Sequence, residues 1–229
     1  MSRTHNAIIA ASCLVFLVMG YLELTESHWA HLVFRALLSG LFVAAAWVQV
    51  RDNRRYFTLI LLGLIFGWGG DFLLAFRTKG LFLPGLASFL VGHVFYIAAF
   101  AGLTNTRKWI SVNTFWIAAF AYGVFLYLEP KLGSMRYPVL AYIVVISLML
   151  NGAVAVFRTR ELPAAGRFLV LAGAAMFYLS DIGVARNVFM GNELINSLAI
   201  LLLYNPAQFF LAFSIGRFPG NSALNLAME

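Results

Sequence analysis

Eight apolar stretches, each about 20 residues long, constrain what this chain can fold into. Short polar connections separate them, and they cover residues 6–24, 32–50, 56–76, 82–103, 109–128, 137–157, 166–185 and 193–216. A helix of about 20 apolar residues crosses the hydrocarbon core of a bilayer. It also satisfies its backbone hydrogen bonds within the segment, as a bilayer requires. The sequence therefore predicts an all-α, polytopic membrane protein with about eight transmembrane helices, forming a single transmembrane domain over residues 1–229.

The composition agrees with a membrane protein and excludes a soluble domain. Hydrophobic residues make up 62% of the 229 residues and charged residues 11%, whereas roughly 25% of the residues of a soluble domain are charged. The lysines and arginines lie in short clusters between the apolar stretches. We interpret this distribution as a signature of membrane topology, and no nucleic-acid partner is expected.

The cations are unevenly divided between the two sides of the predicted bundle. Ten lie on the side of the amino terminus, namely Arg3, Arg51, Arg54, Arg55, Arg107, Lys108, Arg158, Arg160, Arg167 and Arg217. Six lie on the opposite side, namely Arg35, Arg77, Lys79, Lys131, Arg136 and Arg186. Because Lys and Arg are enriched in cytoplasmic loops, both termini are predicted to be cytoplasmic. For a bacterial chain the membrane would be the inner membrane.

Two of the predicted spans end in a similar short motif. The third contains Gly70-Asp71 followed by Arg77, and the seventh contains Ser180-Asp181 followed by Arg186. Four spans separate the motifs, so the two helices run in the same direction and the aspartates lie at similar depth. The pattern predicts a four-plus-four parallel repeat.

A carboxyl group inside a membrane needs a reason, because burying an ionisable side chain there costs roughly 2.5 kcal/mol or more. One reason is structural: Asp71 would pair with Arg77 or Arg35, and Asp181 with Arg186. The other is catalytic. Two carboxyl groups that face one cavity form a general acid–base pair, because one donates a proton while the other accepts one. Two aspartates at the same depth favour the catalytic interpretation.

Further polar side chains within the spans are candidates for the same site. His93 is the only histidine well inside a span, so a zinc site, which needs about three protein ligands, is not predicted. A buried histidine usually makes an interhelical hydrogen bond, but here it could orient a water molecule. Tyr204 and Gln208 share a helix face. With Asn205 they either bind a substrate oxygen or satisfy carbonyl groups released by Pro206.

Two more polar residues of the predicted spans are candidates for structural or binding roles. Tyr142 is expected to form an interhelical hydrogen bond. Arg35 near the outer edge either extends its charge to the interface or contacts a lipid head group. The chain lacks the G-x-S-x-G, Walker and H-E-x-x-H motifs, so serine lipases, ATP-driven proteins and zincins are excluded.

Four motifs in this order resemble the YhhN family, whose animal members are transmembrane lysoplasmalogenases. They are Phe66-Gly67-Trp68-Gly69-Gly70-Asp71, Phe89-Leu90-Val91-Gly92-His93-Val94-Phe95-Tyr96, Ser180-Asp181 and Tyr204-Asn205-Pro206-Ala207-Gln208. The similarity extends over most of the chain. It departs from the family where Arg35-Ala36 stands at the start of the second span, since the family usually has Lys-Pro there. The charge is kept and the proline kink is lost.

The resemblance implies hydrolysis of the vinyl ether bond of a lysoplasmalogen, a lysophospholipid, to a fatty aldehyde and a glycerophospho-base, without a metal or organic cofactor. Asp71 and Asp181 would be catalytic. The implied substrate-binding residues are Arg35, His93, Tyr96, Tyr142, Ser180, Tyr204, Asn205 and Gln208. An alternative is a proton-coupled transporter of small molecules or lipids, with the same aspartates as proton carriers. A third is a structural membrane subunit.

Overall fold

The computed structural model describes residues 3–22, 28–76, 78–191 and 193–220, and all regular structure in these ranges is helical. The described residues form eight α-helices, one in each predicted apolar stretch. They are α1 (Arg3–Leu22), α2 (His28–Trp47), α3 (Arg54–Ala75), α4 (Lys79–Ala101), α5 (Val112–Leu132), α6 (Arg136–Arg158), α7 (Ala164–Phe189) and α8 (Leu194–Ser214). The all-helical prediction is therefore confirmed.

Five segments within the described ranges are long and apolar enough to cross a membrane. One of them, 112–158, contains both α5 and α6, and the others correspond to α3, α4, α7 and α8. The apolar part of α2, Val33–Trp47, is shorter. Many large apolar side chains, including Phe115 and Trp116, remain exposed on the outside of the bundle, as lipid contact requires. The chain is an integral, multi-pass membrane protein.

Helix α5 begins and ends later than the predicted stretch 109–128. The residues before it form a short 3₁₀ helix, Thr106–Trp109. The backbone N–H of Ser111 donates to Thr114 Oγ1, which marks the start of α5 at the next residue. The helix continues to Leu132 and ends at Gly133, whose φ of 50° favours glycine. Local capping chemistry, rather than hydropathy, determines both ends.

The seventh helix also differs from the prediction, which placed its end at residue 185. Helix α7 continues without interruption to Phe189. Asp181 and Arg186 therefore lie within a regular helix, and their charges do not end it. Asp181 is eight residues before the end of its helix, and Asp71 is four residues before the end of α3.

The most extensive packing in the bundle occurs within two pairs of consecutive helices, α3 with α4 and α7 with α8. Helix α2 packs on α3 and α8, and α6 packs on α4 and α7. Glycines allow the close approach of α3. A methyl group at Gly63 would collide with the ring of Tyr96, and one at Gly67 would lie 2.6 Å from Gln208 Nε2. The small residues thus admit two large polar side chains into the core beside α3.

Candidate active site

A cavity of about 90 Å³ lies among helices α2 to α8 in the described bundle. Apolar side chains from all seven helices line most of it. The charged and polar side chains on its lining are Arg35, Asp71, Tyr142, Tyr178, Asp181, Tyr204 and Asn205. The two aspartates of the sequence pattern therefore face the same cavity, from α3 and α7. Such a cavity, apolar with a few convergent polar groups, is typical of a ligand-binding site.

Asp71 is almost completely enclosed, with 3% of its surface exposed. Its Oδ2 atom accepts two hydrogen bonds, from Ser39 Oγ of α2 at 2.5 Å and from Tyr204 OH of α8 at 2.7 Å. A buried carboxyl group requires such donors, because an unsatisfied polar atom would lose its hydration without compensation.

The hydrogen bonds of Asp71 continue into a chain of side chains beneath the cavity. Gln208 Nε2 donates to Tyr204 OH at 3.0 Å, and Tyr96 OH donates to Gln208 Oε1 at 2.8 Å. All three side chains are buried. Since each donor in turn satisfies the next acceptor, the chain has one direction, from Tyr96 through Gln208 and Tyr204 to Asp71. It holds the Tyr204 hydroxyl group in position toward the carboxyl group.

Asp181 is more accessible, with 16% of its side chain exposed. Its Oδ2 atom accepts a hydrogen bond of 2.5 Å from Tyr142 OH of α6. His93 Nε2 of α4 lies 2.9 Å from the same tyrosine oxygen and 3.5 Å from Asp181 Oδ2. The other ring nitrogen, His93 Nδ1, is buried and has no hydrogen-bond partner among the described residues. Asp181, Tyr142 and His93 thus form a compact triad of groups that can exchange protons.

Of the ion pairs that the structural interpretation proposed, the pair between Asp181 and Arg186 is not formed. Arg186 Nη2 lies 3.9 Å from Glu193 Oε2, and Asp181 contacts Tyr142 and His93 instead. Arg77 lies outside the described residues. Arg35 lines the cavity together with both aspartates and supplies its positive charge. The structural alternative for Asp181, a pairing with Arg186, is therefore wrong.

The predicted site residues divide into two sets. Arg35, Tyr142, Tyr204 and Asn205 line the cavity with the aspartates. Asn205 also donates from Nδ2 to the Leu201 carbonyl, a backbone role that its position before Pro206 suggested.

The second set lies behind the cavity lining, and its members are His93, Tyr96, Gln208 and Ser180. His93 and Gln208 are hydrogen-bonded to the lining residues Tyr142 and Tyr204, and Tyr96 donates to Gln208. Ser180 Oγ bonds to the Phe177 carbonyl of its own helix. For Ser180 a direct contact with a substrate is therefore not supported by its position.

Two polar residues of the site were not predicted. Ser39 donates directly to Asp71. Tyr178 is hydrogen-bonded to Ser147 of α6 at 3.3 Å and also lines the cavity. The only sequence signal for Ser39 was a small hydroxyl residue in a strongly apolar stretch, which is common in membrane helices.

Comparison with known proteins identifies the family of this chain. The chain is 27% identical over 212 residues to lysoplasmalogenase TMEM86A of Bos taurus, and 29% identical over 216 residues to lysoplasmalogenase TMEM86A of Homo sapiens. Each alignment covers 89% of this chain and 85% of the relative. No solved structure has a significant match to the chain. The model of the YhhN family matches residues 30–215, which include every residue of the cavity, and the chain belongs to the YhhN family.

Proposed function

We propose that this protein is a membrane-embedded lipid hydrolase that cleaves the vinyl ether bond of lysoplasmalogens to a fatty aldehyde and a glycerophospho-base. The observation that carries the proposal is the pair of aspartates on one cavity, Asp71 from α3 and Asp181 from α7. The relatives named lysoplasmalogenase agree with it, since they align over most of the chain. The lysophospholipid substrate is proposed on the same basis.

The surroundings of the two aspartates support different roles. Asp71 Oδ2 already accepts two hydrogen bonds, so an acidic proton on this group belongs on Oδ1. We assign Asp71 as the general acid. Asp181 is more accessible to water and contacts two groups that can exchange protons, Tyr142 and His93. We assign Asp181 as the general base.

The reaction that follows balances without an external proton. Asp71 donates its proton to the alkene carbon, which leaves an oxocarbenium ion stabilised by the ether oxygen. A water molecule attacks this ion while Asp181 removes one of its protons, and a hemiacetal forms. When the hemiacetal collapses, Asp181 returns its proton to the leaving glycerol oxygen, and Asp71 takes the proton of the hemiacetal hydroxyl group. Both carboxyl groups are restored. Paired carboxyl groups serve a cation of the same kind in glycoside hydrolysis.

Tyr142 and His93 support the base in both of its states. While Asp181 is ionised, Tyr142 donates its single hydroxyl hydrogen to Asp181, and His93 Nε2 donates to the tyrosine oxygen. After Asp181 has gained a proton on Oδ1, Tyr142 can continue to donate to Oδ2. The two rings therefore hold the carboxyl group in position without competing for its proton. These are positioning roles, since neither ring reacts with substrate.

The four-plus-four repeat is part of the proposal, because it explains how the two aspartates reach one cavity. Helices α2 and α6 each carry a hydroxyl donor to the aspartate of the following helix, through Ser39 and Tyr142. The last helix of each half contacts the aspartate of the other half, through Tyr204 from α8 and His93 from α4. A duplicated four-helix unit in each half accounts for this exchange. Eight spanning helices follow from it.

The proposed activity is tested with purified protein in detergent. Incubation with a lysoplasmalogen should release free aldehyde and glycerophospho-base in the absence of any membrane gradient. The matched control substrate has the same chain and head group but a saturated alkyl ether, which cannot form the oxocarbenium ion by protonation. It should give no product. A proton-coupled transporter would release no aldehyde from either lipid, and that result would overturn the proposal.

We further propose that both termini are cytoplasmic, in the inner membrane for a bacterial chain, which places the cavity in the outer half of the bilayer. The support is the excess of cations on the amino-terminal side, ten against six. Cysteine labelling in a Cys13→Ser background tests the orientation. An impermeant thiol reagent should modify Thr78→Cys in intact cells and leave Arg54→Cys unmodified. The reverse pattern would invert the molecule and move the cavity to the cytoplasmic leaflet.

A further inference from the structure

A second cavity of about 360 Å³ lies between α5 and α6, outside the site described above. We refer to it as the α5–α6 groove. Its lining residues on α5 are Thr114, Ile117, Ala118, Ala121, Tyr122 and Phe125, and those on α6 are Leu140, Ile143, Val144, Ser147, Leu148 and Asn151. Within each set, successive residues are alternately three positions and one position apart in sequence, which places them on one face of the helix. Two apolar helix faces therefore border a continuous groove along both helices.

The groove adjoins the cavity that holds the aspartates. Ile143 lines both spaces. Val124 and Leu128 of α5 line the cavity, while Phe125 between them lines the groove. Ser147 of the groove is hydrogen-bonded to Tyr178 of the cavity at 3.3 Å. The two spaces thus meet at Ile143, the residue that follows Tyr142 on α6.

The far end of the groove is closed by a polar cluster. The hydroxyl oxygen of Thr114 lies 3.0 Å from Asn151 Oδ1 and 2.7 Å from the Trp109 carbonyl oxygen, and its single hydrogen can be donated to either. Asn151 Nδ2 donates to the same carbonyl at 3.1 Å. The Trp109 ring packs against Gly152, where a methyl group would lie 2.5 Å from it. The side chains of Thr114 and Asn151 are thus bonded to each other and to the backbone, and they border the groove at this end.

The dimensions of the groove match a single hydrocarbon chain. From Thr114 to Phe125 the helix rises roughly 16 Å, the length of an extended chain of about a dozen carbon atoms. The cavity that holds the aspartates is the smaller of the two spaces, about 90 Å³ against about 360 Å³ for the groove. The groove is the space that adjoins it.

We propose that the α5–α6 groove binds the alkenyl chain of the substrate and that its closed end near Thr114 and Asn151 limits the chain length accepted. This inference rests on the proposed function, since it takes the lysolipid as the ligand of the cavity. The head group then lies near Arg35 and the vinyl ether between the aspartates. The chain passes Ile143 and continues between the two helix faces.

Substitution of neighbouring alanines on α5 tests the proposal. Ala118 lines the groove and Ala119 does not, although both are exposed on the same helix. Ala118→Trp would fill the groove beyond its first two turns, roughly 10 Å from Phe125, while Ala119→Trp would extend into lipid. Turnover should be compared for lysoplasmalogens with chains of about 10 and about 18 carbon atoms, which end before and beyond the tryptophan.

For Ala118→Trp, the ratio of kcat/KM for the long chain to that for the short chain should fall about tenfold. Ala119→Trp should retain the ratio of the unsubstituted protein. An unchanged ratio for Ala118→Trp would overturn the groove assignment while leaving the hydrolase activity intact. If the unsubstituted protein released no aldehyde from either chain length, the proposed function itself would fail.

A crosslinking experiment covers the case in which Ala118→Trp does not fold. The probe is a saturated 1-O-alkyl lysophospholipid with a diazirine near the end of its chain, which binds without being cleaved. Photolysis on the unsubstituted protein should label peptides within 114–125 and 140–151, and excess unlabelled lysolipid should suppress the labelling. Labelling confined to other helices would overturn the proposal.

Discussion

The two aspartates of the cavity occupy corresponding positions but differ in their surroundings. Asp71 is 3% exposed and accepts hydrogen bonds from two hydroxyl groups, those of Ser39 and Tyr204. Asp181 is 16% exposed and lies against Tyr142 and His93. One aspartate is thus held in an enclosed network of hydroxyl and amide groups, and the other lies at a more open position beside an imidazole ring.

The partners of the two aspartates differ, and this difference agrees with the acid and base roles proposed for them. The network behind Asp71 runs from Tyr96 through Gln208 and Tyr204, and each member donates its hydrogen toward the carboxyl group. It is suited to hold Asp71 in one orientation. The group behind Asp181 ends in His93 Nδ1, an atom with no partner among the described side chains. This second arrangement leaves Asp181 accessible to the water molecule that a general base would activate. The predictions below test that division, from the largest expected effect to the smallest.

Removal of either carboxylate should have the largest effect. Asp71→Asn and Asp181→Asn should each lower the rate of aldehyde release by about 10³-fold or more, because an amide can neither donate the proton nor accept it. The measurement is turnover of a lysoplasmalogen by purified protein, with folding checked by thermal unfolding. Asp52→Asn, in an exposed connection before α3, is the matched control and should retain full activity. If either cavity variant keeps most of its turnover, the paired mechanism is wrong.

Removal of one tyrosine hydroxyl group on each side should separate the two roles. Tyr204→Phe takes a donor from Asp71 and an acceptor from Gln208, so the free energy of unfolding should fall by about 1–2 kcal/mol. Tyr142→Phe takes the donor from Asp181 and breaks its link to His93, so turnover should fall by about 10-fold to 100-fold with a smaller loss of stability.

Thermal unfolding and turnover of both phenylalanine variants, measured side by side, decide this point. The pH profile of Tyr142→Phe should also change, since the proposed base loses the group that orients it. The opposite pattern, with Tyr142→Phe unstable but fully active per folded molecule, would show that the Asp181 side is structural and would reverse the comparison.

Hydropathy predicted the helices well because burial in lipid imposes one requirement on every span, namely apolar side chains over the whole length. It could not locate the ends of α5, which Thr114 and Gly133 determine through local capping. Asp71 and Asp181 were identifiable because a carboxyl group is costly in hydrocarbon. The sequence thus revealed the residues whose burial needs an explanation.

The partners of the aspartates were harder to predict, because they come from helices distant in the chain. Ser39 is ordinary in an apolar helix, and only its position beside Asp71 gives it a role. Arg186 was one candidate partner of Asp181 because it is near in sequence, but its charge lies toward Glu193. Ser180, adjacent to Asp181, bonds within its own helix. Proximity in sequence therefore did not predict which side chains contact each other at the cavity.

Arg35 has no counterpart in the second half of the proposed repeat. It lies four residues before Ser39 on α2, whereas the residue four before Tyr142 on α6 is Pro138. If this cation binds the phosphate of the head group, Arg35→Gln should raise KM about tenfold and change kcat little, because a charge-assisted contact is lost from substrate binding. Arg136→Gln, whose exposed side chain contacts Glu129, is the matched control. A fall in kcat with KM unchanged would instead assign Arg35 to the reaction step.

Removal of metal ions should not change turnover. This prediction tests whether the two aspartates act as separate acid and base or as ligands of one metal ion. A metal ion bound by both carboxylates would make them equivalent ligands and would abolish the distinction between acid and base. A zinc site needs about three protein ligands, and within the described residues no group of three or more His, Cys, Asp or Glu side chains is placed to hold an ion. His93 Nε2 already contacts Tyr142 and Asp181. Turnover after dialysis against a chelator should therefore equal that of untreated protein. If activity were lost on chelation and restored by Zn²⁺, the site would be a metal centre and the proposed acid–base pair would be wrong.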